Sequence, residues 1–142
     1  MKTFPKIAAA VAVAGAAVVA AVLPGGAVAS ESPSAPAIRV ESPATLEARG
    51  AAVRLSLTLV CPAGQQISPY VSLTQRSGSG VASGGTSPSP VTCTGSAQAV
   101  EAVISASTSG EAFRKGPAFA KASFYTYVAG YVTDEREIEI VR

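Results

Sequence analysis

The sequence predicts an all-β domain, an antiparallel two-sheet sandwich of immunoglobulin-like type with one disulfide, and three observations predict it. Apolar residues recur at every second position through the body of the chain. Clusters of Gly, Pro, Ser and Thr punctuate it at short intervals, and beyond the N-terminal segment no stretch carries a sustained helical period. Short strands separated by turn formers suit two packed antiparallel sheets.

Taken in chain order, residues 1–29 come first. Lys2 and Lys6 form a basic head, a small-apolar run extends from Ile7 to Leu23, Pro24-Gly25-Gly26 breaks it, and Ala27-Val28-Ala29 supplies small side chains for a peptidase. This is the layout of a secretory signal, with cleavage expected after Ala29. The alternative is an uncleaved anchor, for which the run falls a little short of the roughly 20 apolar residues that span a bilayer. No Cys lies near the cleavage point to take a lipid. Residues 30–36, with two prolines and small polar residues, read as a flexible leader. Residues 37–142 then form a single domain, large enough to bury a core.

Within that domain the clearest strand is Val53 to Cys61. Val53, Leu55, Leu57, Leu59 and Cys61 share one face, and Arg54, Ser56 and Thr58 the other. Burying its four aliphatics is worth roughly 6–12 kcal/mol before chain entropy is subtracted. Ile38–Glu41 and Thr45–Ala48 precede it on either side of Pro43. Tyr70–Arg76, a short and weak Val81–Ser83, Pro90–Thr94, Gln98–Ala106, Ala118–Val128 and Glu135–Val141 follow. Pro62-Ala63-Gly64, Gly84-Gly85-Thr86-Ser87-Pro88, Thr108-Ser109-Gly110 and Gly116-Pro117 read as turns.

Cys61 and Cys93 both lie on inward faces, so in an exported chain they are expected to pair. A redox or zinc role is disfavoured, because the two are far apart and the chain has no His. The spacing is shorter than in antibody domains, and the Trp that packs on their disulfide is absent.

Several runs together resemble a group of small secreted actinobacterial proteins. They are Ala51–Gly64, Val71–Arg76, Val91–Gly95, Ala112–Pro117 and Arg136–Ile140. The resemblance covers nearly all of the chain after the signal and implies a secreted β-sandwich; it carries no functional residue over. Where relatives hold a second cysteine pair, this chain has Tyr125-Thr126-Tyr127-Val128-Ala129-Gly130-Tyr131.

Charge and side-chain inventory narrow the function classes. The chain has 11 Lys and Arg against 9 Asp and Glu, but Lys2 and Lys6 belong to the signal segment, so the body is neutral. Nucleic acid is not an expected partner, since no basic stripe is visible and Arg114-Lys115 reads as a solvated pair. With no His, a serine triad has no base. Lys115 and Lys121 lack a Ser-x-x-Lys context. Asp134, Glu135, Glu137 and Glu139 cluster near the last strand as surface acids, without the paired geometry of a glycosidase or the ordered oxygen ligands of a calcium loop. No cofactor, no metal and no catalysis are expected.

What remains is aromatic. On a strand, Phe119, Lys121, Tyr125 and Tyr127 share one face, while Phe124 shares the other with Ala118, Ala120, Ala122 and Val128, the expected core face. Lys121, Tyr125 and Tyr127, with Arg114, form a candidate binding patch. The plainer alternative is that the tyrosines simply cover the sheet or the disulfide, partly buried and with their hydroxyls reaching solvent. The resulting expectation is a secreted, monomeric, non-catalytic binding or structural module, free of the membrane after signal cleavage. Its partner would be an extracellular protein, a glycan or a small ligand. An inhibitor or small-ligand carrier is the second reading, and an enzyme a distant third.

Overall fold

The computed structural model describes residues 34–142. The expected signal segment, residues 1–29, and the first residues of the leader lie outside the described residues. Ser34-Ala35-Pro36 has no regular structure, and the first strand begins at Ala37. Ten strands follow: β1 (Ala37–Val40), β2 (Ala44–Glu47), β3 (Ala52–Val60), β4 (Gln66–Ile67), β5 (Tyr70–Ser77), β6 (Gly80–Thr86), β7 (Val91–Thr92), β8 (Gln98–Ser105), β9 (Gly116–Thr126) and β10 (Gly130–Val141). A single 3-10 turn, Ala48–Gly50, interrupts them.

The period-two stretch around Leu57 becomes β3, the hub of the fold. One edge pairs with β8 from Ala52↔Ser105 to Leu59↔Gln98. The other is shared by β1, against the C-terminal half (Val40↔Leu57), and β2, against the N-terminal half (Thr45↔Arg54). The rest of the chain builds the order β10-β9-β5-β6, in which β9 and β10 form a long hairpin and β5 lies on the other side of β9. A short ladder, Gln66↔Thr92 and Ile67↔Val91, stands apart as β4-β7.

The all-β class and the disulfide stand; the pairing is not purely antiparallel. β2 leaves the line of β1 after Pro43 and runs parallel to the end of β10, through Ile140↔Ala44 and Val141↔Thr45. Because β2 also pairs with β3, hydrogen bonding is continuous around that side, and eight strands belong to one connected sheet. On the opposite side, the Ser107 N–H donates to the Ser83 carbonyl at 2.7 Å, and the Glu111 N–H to the Val81 carbonyl at 3.1 Å.

The core lies inside this wrap. Val53, Leu55, Leu57 and Leu59 of β3 are buried with Val71 and Leu73 of β5, Ile104 of β8, Phe124 of β9 and Ile138 and Ile140 of β10. Ala118, Ala120 and Ala122 on the inner face of β9 leave room for the larger side chains opposite, as close packing requires. Cys61 and Cys93 are bonded, with Cα atoms 5.4 Å apart. On the outer face, Arg54 reaches Glu47 of β2 (2.6 Å) and Glu101 of β8 (3.2 Å), and the hydrogen bond to Glu47 raises its pKa above the usual value.

Three segments differ from the sequence expectation, the first being Gly116-Pro117, which reads as a turn but opens β9 in register with Ile140 and Glu139. β6 runs through Gly84 and Gly85 to Thr86, where a turn was expected. A Cβ on Gly84 would strike the backbone carbonyl of Ser105, so glycine here marks a close approach to β8. β10 is also longer than expected: it begins at Gly130 and carries Asp134 and Arg136 on its inward side. Asp134 is therefore no surface acid. Its carboxylate accepts from the Val40 N–H at 2.8 Å and pairs twice with the Arg136 guanidinium, at 2.7 and 2.9 Å. Glu137 and Glu139 remain exposed and alternate with buried Ile138 and Ile140.

Candidate functional site

Aromatic side chains meet at the tip of the β9–β10 hairpin because of register. Tyr125 pairs with Tyr131 across the strands, and a three-residue loop of Tyr127, Val128 and Ala129 joins them. The loop is closed from inside: Thr126 is fully buried and its hydroxyl accepts the Ala129 N–H at 2.9 Å. Gly130, at φ +71°, makes the left-handed turn into β10. Tyr125 then sits between two rings, 5.8 Å from Tyr127 at an interplanar angle of 85° and 5.3 Å from Tyr131 at 69°. Both are edge-to-face arrangements, the favoured geometry for ring pairs.

The rings face outward: Tyr125, half buried on the outer face of the sheet, is 48% exposed, Tyr127 87% and Tyr131 78%, so none of the three belongs to the core. Along the same face of β9 lie Lys121 and Phe119, and on β5 Tyr70 stands opposite Ser123. The predicted division of β9 into two faces is the observed one, with Phe124, Ala118, Ala120 and Ala122 buried. Val128, expected on the core face, is 75% exposed, because the strand ends at Thr126 and the loop carries it out.

Charge on this face is balanced. Lys121 pairs with Glu135 directly across the ladder at 2.6 Å, both side chains about half exposed. An exposed pair of this kind contributes little to stability, at most about 1 kcal/mol. Its consequence here is that the surface beside the tyrosines offers no surplus positive charge. Glu137 and Glu139 continue the polar edge along β10.

Arg114 does not belong to this patch. It precedes β9, at the end of the strand opposite the tyrosines, which the 11 residues of β9 set roughly 30 Å away. Its main chain is gripped by the buried Gln75 amide of β5: the Arg114 N–H donates to Gln75 Oε1 at 2.7 Å, and Gln75 Nε2 donates to the Arg114 carbonyl at 2.8 Å. Ser77 Oγ donates to the Ala112 carbonyl at 2.9 Å, and Phe113, adjacent in sequence to the aromatic group, is a fully buried anchor. Sequence spacing alone had brought these residues together; the direction of β9 separates them.

Beside the hairpin tip an open groove of about 980 Å³ runs past Pro36, Cys61, Ala63, Thr94, Ser96 and Val128. It is a shallow cleft of small residues over the disulfide. Among the described residues no three His, Cys, Asp or Glu side chains converge as metal ligands. No helix among them is long and apolar enough to cross a membrane.

No family model and no curated protein matches the chain. Among solved structures it is similar to the solution structure of a protein described as late embryogenesis abundant. The identity is 13% over 74% of this chain and 71% of that one, with a TM-score of 0.44.

Proposed function

We propose that this chain is a secreted, monomeric, non-catalytic binding module with an immunoglobulin-like sandwich, which engages an extracellular protein through the aromatic tip of its β9–β10 hairpin. The observation that carries the reading is the exposed trio Tyr125, Tyr127 and Tyr131 at the tip of the hairpin. Tyr is enriched among the few residues that carry binding energy at interfaces, because it offers a large contact area at low entropic cost. The perpendicular rings form notches rather than a flat platform, which favours side chains of a protein over the faces of stacked sugars. Export is supported by the signal-like segment at residues 1–29 and by the Cys61–Cys93 disulfide, a bond at home in oxidising compartments.

The test is capture from culture supernatant with the wild-type chain and with the double variant Tyr125→Ala/Tyr127→Ala. Both tyrosines are outside the core, so the double variant should keep its circular dichroism spectrum and thermal midpoint. It should lose a partner that the wild type retains. Equal retention of every captured protein by the two chains would refute the hairpin tip as the contact surface.

A further inference from the structure

The body of the chain is neutral by count, yet its positive charges are not evenly spread. At the end of the fold opposite the tyrosines, Arg49 from the 3-10 turn, Arg114 and Lys115 from the β8–β9 connection and Arg142 after β10 line one open cleft of about 620 Å³, with Leu46 and Phe113 contributing apolar surface. Among the described residues none of the four cations lies within ion-pair distance of a carboxylate, whereas Arg39, Arg54, Lys121 and Arg136 are all paired. Setting Arg142 aside, Arg49, Arg114 and Lys115 from two separate loops still line it, with the Arg114 guanidinium on the side of Gly78 in the β5–β6 turn.

Both loops are held from beneath. Gln75 grips both the N–H and the carbonyl of Arg114, while the Phe113 N–H donates to the Gly50 carbonyl at 2.9 Å, tying one loop to the other. Gly50 must be glycine, because a Cβ there would strike the Phe113 carbonyl. Ala48 and Arg49 both adopt left-handed conformations, at φ +47° and +56°, which non-glycine residues avoid. Such local strain concentrates at ligand-binding sites, where the surrounding structure holds it in place. Here it places Arg49 on the wall of the cleft.

We infer that this cavity binds a phosphate monoester carried on a body the size of a sugar. A monoester carries about −1.5 to −2 charges at neutral pH, which suits a cleft lined by three cations better than a single carboxylate does. Guanidinium groups bind its oxygens in two-pronged hydrogen bonds. The volume exceeds what a lone phosphate would fill and lies in the usual range for small-molecule sites, and Leu46 supplies an apolar surface for the attached body. This site is separate from the tyrosine tip and does not depend on the reading of that surface.

The test is calorimetric titration of the full chain with glucose 6-phosphate, inorganic phosphate and glucose, each at low and high salt. Glucose 6-phosphate should bind, more tightly than inorganic phosphate, with an affinity that falls as salt rises, and glucose should not bind. Arg49→Gly combined with Lys115→Gln should weaken glucose 6-phosphate at least tenfold while leaving the thermal midpoint unchanged or higher, since glycine accepts the left-handed backbone. Absence of binding by both anions at millimolar concentration overturns the inference. So does equal binding of glucose, or undiminished binding by the double variant. If the double variant proves less stable, Lys115→Gln alone, an exposed loop side chain, should still lower the affinity, and its failure to do so overturns the inference as well.

Discussion

Asp134 shows how one side chain can satisfy a strand edge that no neighbouring strand pairs with. Among the pairings of β1, only one edge is satisfied by β3, so the amide of Val40 points away from its ladder, and the Asp134 carboxylate accepts it. Arg136 holds that carboxylate from two residues further along β10, on the same inward face. That edge of β1 lies against β10 without pairing to it, so the carboxylate links the two strands where no backbone ladder does. The hydrogen bond from Arg136 is the largest influence on Asp134, followed by partial burial, which opposes it, and the Val40 amide; the net effect holds its pKa below the usual carboxylate range. A carboxylate with a lowered folded-state pKa adds stability at pH values above its ordinary, unfolded value, and that addition disappears as pH falls through the folded value. The wild type should therefore show a declining urea midpoint below about pH 4, and Asp134→Ala should show a shallower decline over the same range. At neutral pH the same variant leaves the Val40 amide without its acceptor, which should cost about 1–3 kcal/mol. Urea denaturation from pH 7 to pH 2 measures both effects, and identical acid profiles for the two proteins would remove Asp134 from the edge role.

At the scale of elements, what was legible depended on whether the reason for a residue lay within its own strand. β3 was readable because its alternation is a property of one strand between core and solvent, and Val53, Leu55, Leu57 and Leu59 are buried as the pattern requires. β9 was readable for the same reason, since its parity separated Phe124 and the alanines from Phe119, Lys121 and Tyr125. β6 was not. Gly84 and Gly85 resemble a turn in isolation, but Gly84 is small because the Ser105 carbonyl of β8 passes over it, a contact between strands that are not neighbours in sequence. The inward face of β10 was obscured differently: Val132, Asp134, Arg136, Ile138 and Ile140 share parity, yet two charged residues read as solvent-facing until paired with each other. The two-residue β4 and β7 carry too little pattern to be seen as a ladder. Gly84→Ala tests the explanation for β6. Its methyl group would meet backbone on β8, which cannot swing aside as a flexible side chain would, so overpacking should cost about 1–3 kcal/mol. Gly78→Ala is a poor control because φ is +62° there, whereas Ser83→Ala removes a side chain and leaves the approach to β8 unaltered. Urea midpoints should fall for Gly84→Ala well beyond any change in Ser83→Ala.

Across the whole molecule, the direction of the β9–β10 hairpin separates the two proposed surfaces, placing the tyrosines at one end and the cationic cleft at the other. Tyr125 and Tyr127 were recognisable from sequence as neighbours on one strand and its turn, and the structure adds Tyr131 by cross-strand register. The cationic end was invisible, because Arg49, Arg114, Lys115 and Arg142 come from three places in the chain and only the docking of Gly50 against Phe113 and the return of β10 gather them. Net charge hid them further, since every other cation outside that cavity except Arg76 is matched by an acid within ion-pair distance among the described residues. The Cys61–Cys93 bond lies at the tyrosine end, beside the groove that reaches Val128. It closes a loop with a sequence separation of 32, and in the chain-entropy account a cross-link of this span stabilises by restricting the unfolded chain, by roughly 3–4 kcal/mol. If that account governs, the native contacts of both ends survive without the bond. Cys61→Ala/Cys93→Ala should then lose about 2–5 kcal/mol in urea denaturation while keeping its β-type circular dichroism. Dithiothreitol should shift the wild type by the same amount and leave the double variant unmoved. A double variant that is unfolded in the absence of urea would show instead that the bond organises the tyrosine end, and that the hairpin tip depends on it for its shape.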